Sequence, residues 1–450
     1  MDYTRQLAQF AVQLKYSDLP QPVIEKAKEI AMHAWGLQLA GSTLPWAKSV
    51  YRYVQSQGGV AKSTVVNYGL KTSPVHAAFV NGTFGHGFEM DDNHAAAGIK
   101  GGCVAVPAVL AIGEQQLSSG MEFITALVAA FEVMVRVSLS AQPERLKGAY
   151  QPSGTCGPFG AAAAVGKLLR FDEKTMLHAL SIAGAHSSGL TEAPPSGRGT
   201  VKRIYGGMAG SNGMRSALLA AEGLTGPDTM IEGDRGFLRG VARNPNPALL
   251  TAGLGSKWQI LDVHYKIYAQ DGYIQPMTEA LDRMVKQHKF KPQDIAEIRA
   301  GTNQHALDVI GLITEPEDLT AAQFSANYSL ALYLITGNAG FQEYTEKNLK
   351  APEIVELSKK IHAEVDPEIE DEWQKTRPRG ARITVRLKSG VTHTDCVHML
   401  RSMSAEDVND KFRRLAKVVI SDEQCEKLLK TARNLDEVRD VSSIVPLLTR

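Results

Sequence analysis

The chain has 450 residues, of which 49 are Lys or Arg and 48 are Asp or Glu, so its formal net charge is +1. This length suffices for two domains with room for a buried site. A balanced charge gives no basic surface of the kind that binds nucleic acid or an anionic membrane, so we expect neither as a partner.

The spacing of the cysteines and the length of the apolar segments indicate the cellular compartment of the protein. No segment reaches the roughly 20 apolar residues that a membrane span requires, and the N-terminus lacks the basic and apolar regions of a secretion signal. The four cysteines form no CxxC pair: Cys103, Cys156, Cys396 and Cys425. We therefore expect a cytoplasmic protein without disulfides and without a metal site.

Helical spacing of apolar residues dominates the chain up to about residue 261. It is clear in three segments, 4–15, 21–40 and 121–138. The last segment is apolar on almost all sides, which predicts a helix at the centre of a helical domain. Two segments rich in small residues, 157–169 and 206–223, predict closely packed helices.

A different pattern follows residue 265. Residues 295–301 and 381–387 alternate apolar and polar side chains, which predicts half-buried strands, and 392–397 is the expected hairpin partner. Two further segments, 325–336 and 353–362, read as helices, and helical spacing returns from Ser404.

These patterns predict a mainly α fold with a large all-helical domain and a smaller α+β domain set into it. We place the helical domain at residues 1–265 and 403–450, and the α+β domain, which the resemblance given next implies to be a lid, at 266–402.

Short motifs follow one another along the chain. They include His86-Gly-Phe-Glu-Met-Asp-Asp92, Gly154-Thr-Cys-Gly-Pro, Val201-Lys-Arg-Ile-Tyr-Gly-Gly, Tyr265-Lys-Ile-Tyr, Phe324-Ser-Ala-Asn-Tyr328 and Lys411-Phe-Arg-Arg-Leu. In this order they resemble the MmgE/PrpD family along nearly the whole chain. The resemblance implies a helical domain with an α+β lid, usually in a homodimer, and no metal or other cofactor. Known members are dehydratases, decarboxylases and an epimerase that move a proton at a carbon beside a carboxylate of a small di- or tricarboxylate.

Three lysines are the predicted catalytic residues. Lys202 and Lys266 match lysines of the family motifs, and Lys100 stands where most relatives carry a histidine. A buried lysine can bind a carboxylate, take a proton or stabilise an enolate when its pKa is lowered. The alternative is that they are ordinary solvated lysines.

Seven residues are predicted to contact the substrate: Glu89, Asp91, Asn93, His94, Gln151, Gln275 and Tyr328. Alternatively, the carboxylates form a salt-bridged helix end and Tyr328 is a core residue. Gln151 and Gln275 stand before prolines where the family often has histidine, and glutamine cannot carry protons.

Because lysine and glutamine replace these histidines, we predict a cofactor-independent epimerase acting on an iminodisuccinate-like substrate. The alternative is a dehydratase or decarboxylase acting on a tricarboxylate such as 2-methylcitrate or cis-aconitate. A third possibility is an inactive relative that serves as a binding or scaffold protein. The chain carries no GxxxxGK[ST] motif and no GxGxxG motif after a strand, so we expect no nucleotide.

Overall fold

The computed structural model describes residues 2–141, 150–192 and 199–450. The fold is mainly α, as predicted. Within the described residues up to 241, its helices are α1 (Tyr3–Gln13), α2 (Gln21–Gly41), α3 (Pro45–Gln57), α4 (Pro74–Gly85), α5 (Gly102–Gln116), α6 (Gly120–Ala141), α7 (Pro152–Leu168), α8 (Glu173–Ala185), α9 (Tyr205–Ala221) and α10 (Phe237–Val241).

Helix α6 is the central helix of this helical body. It is long and apolar enough to cross a membrane, but 94% of its most apolar 18-residue stretch is buried inside the protein. Its two buried charged residues pair with each other, since Arg136 Nε lies 3.2 Å from a Glu132 carboxylate oxygen. Arg136 also donates to the carbonyls of Ala252 and Lys257 at 2.7 Å. Because these partners satisfy the buried charge, the helix can lie at the centre of the core.

Glycines bring α4 and α9 into backbone contact. A Cβ atom at Gly207 would lie 2.1 Å from the Phe79 carbonyl oxygen, and one at Gly82 would lie 2.6 Å from the Gly207 Cα. No larger residue fits at either position without moving a helix. The close packing predicted for the small residues of 206–223 is therefore confirmed.

The body is not entirely helical, because it contains two small antiparallel sheets. The first pairs β1 (Ser63–Thr64) with β2 (Lys71–Thr72). The second pairs β3 (Asp92–His94) with β4 (Val263–Tyr265), and it joins two segments about 170 residues apart in the chain. Residues immediately before β3 and immediately after β4 form the candidate site described below.

The lid is built on one four-stranded sheet with the order β6-β5-β7-β8. Its strands are β5 (Ile295–Thr302), β6 (Ile361–Val365), β7 (Ala381–Leu387) and β8 (Thr392–Val397). Its helices are α11 (Gln275–His288), α12 (Gln304–Ile310), α13 (Leu319–Phe324), α14 (Ala326–Thr336), α15 (Glu346–Leu349), α16 (Pro352–Ser358) and α17 (Pro367–Thr376). After the lid, α18 (Ala405–Ala416) and α19 (Asp422–Arg433) return to the body.

One element of the lid was predicted wrongly. The helix expected over 353–362 ends at Ser358, and strand β6 begins at Ile361. Strand β6 runs parallel to β5 at the edge of the sheet, and only its first residue is buried. Its residues alternate apolar and polar in sequence, but a run of five that follows directly on a helix is too short to distinguish a strand from the last turns of that helix.

Two hydrophobic cores divide the chain. The first contains most of the buried apolar residues up to Tyr265 and again from Val408, whereas the second contains most of those from Tyr268 to Val397, including the lid sheet. Phe88 and Met90 of the body belong to the second core. This division supports the two predicted domains, which we retain as a proposal.

Candidate active site

Glu89 lies between the two cores and has three cationic partners. The residue follows α4 in a tight turn with φ of 60°, the left-handed region that non-glycine residues seldom adopt. Its Oε1 accepts hydrogen bonds from Lys202 Nζ and, at 2.9 Å, from Arg203 Nη1. Its Oε2 accepts one from Lys266 Nζ at 2.9 Å. All four side chains are buried.

Different parts of the fold supply these cations. Lys202 and Arg203 lie in the 3-10 turn Val201–Ile204, which leads directly into α9. Lys266 follows β4, and its amide donates to the Asp91 carbonyl at 3.2 Å. The β3–β4 sheet and the glycine contact of α9 with α4 therefore fix the site.

The charges in this cluster do not cancel. Burial alone would raise the pKa of Glu89, but the charges of Lys202, Lys266 and Arg203 hold it well below its ordinary value. Burial lowers the pKa of Lys202 to about 8, although Glu89 opposes this shift. Burial also acts to lower the pKa of Lys266, but attraction by nearby carboxylates, chiefly Glu89, exceeds it and the pKa is raised. Three cations contact the one ionised carboxylate of Glu89, and the buried carboxylate of Asp91 nearby offsets one more of their charges, so positive charge remains in excess.

A buried histidine lies beside the cluster. His86 Nδ1 and Asp91 Oδ1 are 2.6 Å apart, and both side chains are inaccessible to solvent. Burial lowers the pKa of His86, while burial would raise the pKa of Asp91 and His86 brings it below its ordinary value. Asp91 thus accepts a hydrogen bond from the Nδ1–H group of a neutral imidazole. Sequence reasoning quoted His86 in the first motif without assigning it a role, and the structure places it beside the cluster.

Lys100 stands at the edge of the site. Its amide donates to Ser153 Oγ at 2.8 Å, its side chain is half-buried, and its charge acts to lower the pKa of both Glu89 and Lys202. The loop it occupies is held by Asp92, which accepts from the amides of Gly101 and Gly102 at the start of α5. Burial raises the pKa of Asp92 to about 6.

Asn93 and His94 are buried on β3, farther along the same strand. His94 Nδ1 accepts from the Ala97 amide at 3.2 Å, and its Nε2 lies 4.0 Å from Asp262. Within the described residues, no hydrogen bond or ion pair joins either side chain to Glu89. Their substrate contact stays a prediction.

Three predicted substrate contacts differ in the hydrogen-bonding groups that they leave for a ligand: Gln151, Gln275 and Tyr328. Gln275 accepts from two backbone amides and donates to two carbonyls of the 267–270 segment, so its amide is fully used. We therefore leave it out of the proposed site. Gln151 accepts from the Gly154 amide at the start of α7. Its Nε2 and the Tyr328 hydroxyl are buried without a hydrogen-bond partner among the described residues, so both can still serve a ligand.

One group of described side chains has ligand atoms close enough for a metal ion. These are His86, Asp91 and Cys103, whose ligand atoms lie within 4.8 Å of one another. In a tetrahedral zinc site, two donors lie about 3.3 Å apart. The His86 and Asp91 atoms are closer, at 2.6 Å, and share a hydrogen. Burial raises the pKa of the Cys103 thiol well above its ordinary value. The set fits a hydrogen-bonded pair with a neutral thiol better than a metal site.

Two contacts of the site were not predicted from the sequence. Arg203 Nη2 donates to Gln323 Oε1 at 2.6 Å, and Gln323 Nε2 donates to the carbonyls of Phe88 and Ala269. Lys411 Nζ donates to the carbonyls of Met90 and Lys266, both at 2.7 Å. The sequence signal for Lys411 is its position on the apolar face of a strongly amphipathic helix.

Comparison with known proteins gives the family. A cis-aconitate decarboxylase-like protein of Aspergillus oryzae is 28% identical over 99% of this chain and 97% of its own length. The cis-aconitate decarboxylase of Aspergillus terreus is 27% identical over 99% and 95%, and the human one is 26% identical over 97% and 92%. The MmgE/PrpD N-terminal domain profile matches residues 5–250, and the MmgE/PrpD C-terminal domain profile matches residues 268–437. The chain therefore belongs to the MmgE/PrpD family.

Proposed function

We propose that this protein is a lyase that decarboxylates a small tricarboxylate of the cis-aconitate type. The observation that carries the proposal is the buried cluster around Glu89, in which the three cations outnumber the ionised carboxylates of Glu89 and Asp91. A buried excess charge is costly unless an ion of opposite sign binds there. A substrate with several carboxylates meets this requirement, and a neutral or cationic substrate does not.

The same side chains can divide the chemical work. Arg203 offers the planar donor fork that suits carboxylates, and Lys266, with its raised pKa, remains an ammonium ion across the neutral range. Lys202, with a pKa of about 8, is charged at neutral pH but can give up its proton. It is therefore our choice for the acid.

Decarboxylation needs one acid and stabilisation of a carbanion. The bond between the substrate carbon and the leaving carboxylate breaks, CO2 departs, and the electron pair spreads onto the remaining unsaturated carboxylate. The cations stabilise this negative charge. The Lys202 ammonium then gives its proton to the carbanion carbon and regains one from solvent, so the net reaction consumes one proton and releases one CO2.

The relatives favour the lyase over the epimerase that the sequence suggested, because the names of the three relatives described above are all of decarboxylases or decarboxylase-like proteins. One observation keeps epimerisation as a second candidate. Lys202 and Lys266 hold different oxygens of Glu89 and have pKa values shifted in opposite directions. A base and an acid on two sides of one carbon are what an epimerase needs.

The test is CO2 release from a panel of di- and tricarboxylates, with Lys202→Met and Lys359→Met as the variant and its control. Lys359 is an exposed lysine that pairs with Glu356 at the surface. We expect one CO2 per tricarboxylate consumed, a loss of at least about 100-fold in rate for Lys202→Met, and no change for the control. Inverted substrate without CO2 would favour the epimerase, and silence across the panel would contradict both.

A further inference from the structure

Lys411 is a charged residue on the apolar face of α18. Val408, Phe412 and Leu415 form the buried stripe of this helix, and the spacing of three and four residues places Lys411 on the same stripe. Only 1% of its surface is exposed. A buried lysine is costly unless its ammonium is hydrogen-bonded, so the contacts of Nζ indicate why it lies there.

Those contacts join the two chain segments that build the site. Nζ donates to the carbonyls of Met90 and Lys266 at 2.7 Å each. Met90 follows Glu89 directly, and Lys266 is itself a partner of Glu89. One side chain therefore links the backbone beside Glu89 to the backbone of Lys266, in addition to the amide of Lys266 that donates to Asp91.

The surroundings of Lys411 contain both signs of charge. Burial lowers its pKa to about 7, Asp91 and Asp92 act to raise it, and Lys266 and Arg414 act to lower it. The ring of His33 on α2 also faces this group, since the charge of Lys411 acts to lower the already low pKa of His33. At slightly acid pH the ammonium form makes both bonds, and charge-assisted bonds are roughly twice as strong as neutral ones.

We propose that Lys411 is a positioning residue of the active site, which holds Glu89 and Lys266 in register by tying their backbone segments together. The inference deepens the proposed function, since it concerns the same site. The hydrogen bonds of Lys411 Nζ go to two backbone carbonyls, so the role assigned to it is to position other residues and not to contact the substrate. Removing its ammonium should loosen both segments and misplace Lys266 relative to Glu89, while the cations that bind the substrate remain.

The first test needs no turnover. Amide hydrogen exchange is followed by mass spectrometry at about pH 6, where Lys411 is charged, in the wild type, Lys411→Met and Lys417→Met. Lys417 lies at the end of the same helix but pairs with Asp422 at the surface. We expect exchange in residues 88–94 and 263–268 to rise at least about tenfold in Lys411→Met only. Unchanged exchange there, or a rise spread evenly over the whole chain, would overturn the proposal.

The second test uses kinetics and a conservative replacement. Lys411→Met should lower kcat by about 100-fold, since small misplacements have effects of this size, and leave KM within a few-fold of the wild type. Lys411→Arg keeps a cation and should restore both the exchange protection and most of kcat. A loss in Lys411→Arg equal to that in Lys411→Met would contradict the role. If the wild type proves inactive on the panel, the exchange result still decides for or against positioning.

Discussion

At the scale of single residues, the site depends on unequal numbers of charges brought together by distant parts of the chain. Lys202 and Lys266 meet at Glu89 although more than 60 residues separate them in sequence. The motifs pointed to these three residues because each motif carries its charged residue in a fixed place. They did not point to Arg203, because adjacent residues of a regular helix lie on different faces. The 3-10 turn at 201–204 brings both side chains to Glu89.

The role of Lys202 predicts the direction of the pH dependence. If its ammonium gives the proton, kcat/KM should fall about tenfold per pH unit above the pKa of about 8, because the donor form is lost. The measurement is kcat/KM for the wild type and for Lys411→Met between about pH 8 and 10, so that any contribution of Lys411, with a pKa of about 7, is separated from that of Lys202. A rate that rises through this range would mean that Lys202 acts as a base, which fits the epimerase and contradicts the acid role.

At the scale of elements, glycines decide how closely the helices that carry the site approach. Helix α4 leads into the turn of Glu89, and α9 follows the turn of Lys202 and Arg203. The sequence could predict close packing from the density of small residues. It could not predict which glycines meet, because the partners lie more than 100 residues apart. The same limit contributed to the wrong prediction for strand β6, because its parallel neighbour β5 is about 60 residues away.

Gly207→Ala tests this contact directly. The new Cβ would meet the backbone oxygen of Phe79 at 2.1 Å, so a helix must shift. We expect the variant to lose about 1–3 kcal/mol of unfolding free energy, which is typical of overpacking, and to lose activity as well. The control is Gly240→Ala in α10, where a Cβ meets nothing within 4 Å. Chemical denaturation measures both, and equal stability of the two variants would contradict a tight α4–α9 contact.

At the scale of the whole molecule, the site lies where the two cores meet. Gln323 of the lid accepts a hydrogen bond from Arg203, and its Nε2 donates to the carbonyls of Phe88, next to Glu89, and of Ala269, three residues after Lys266. The lid thus contributes to the cluster that the helical body builds. The sequence pattern predicted the change of character near residue 265, since helical spacing gives way to alternation there. The homodimer implied by the family resemblance stays a prediction.

The family profile and the packing of the helices place the C-terminal domain boundary at different residues. The C-terminal domain profile of the family extends to residue 437, whereas α18 and most of α19 pack on the helical body. Lys411 on α18 explains why this helix matters for the site, since it binds the carbonyl of the residue at which the chain leaves the body. The sequence did not reveal this role of Lys411, because its partners Met90 and Lys266 lie more than 140 residues earlier in the chain.

We propose that this family member releases CO2 from a tricarboxylate and protonates the carbanion carbon that remains. The most direct measurement is incubation with cis-aconitate in D2O, followed by proton NMR of both the product and the recovered substrate. We expect one deuterium at a carbon beside a carboxylate of the product, equimolar CO2, and no deuterium in the recovered substrate. Deuterium in the recovered substrate without CO2 would contradict the lyase and indicate a proton-exchanging epimerase.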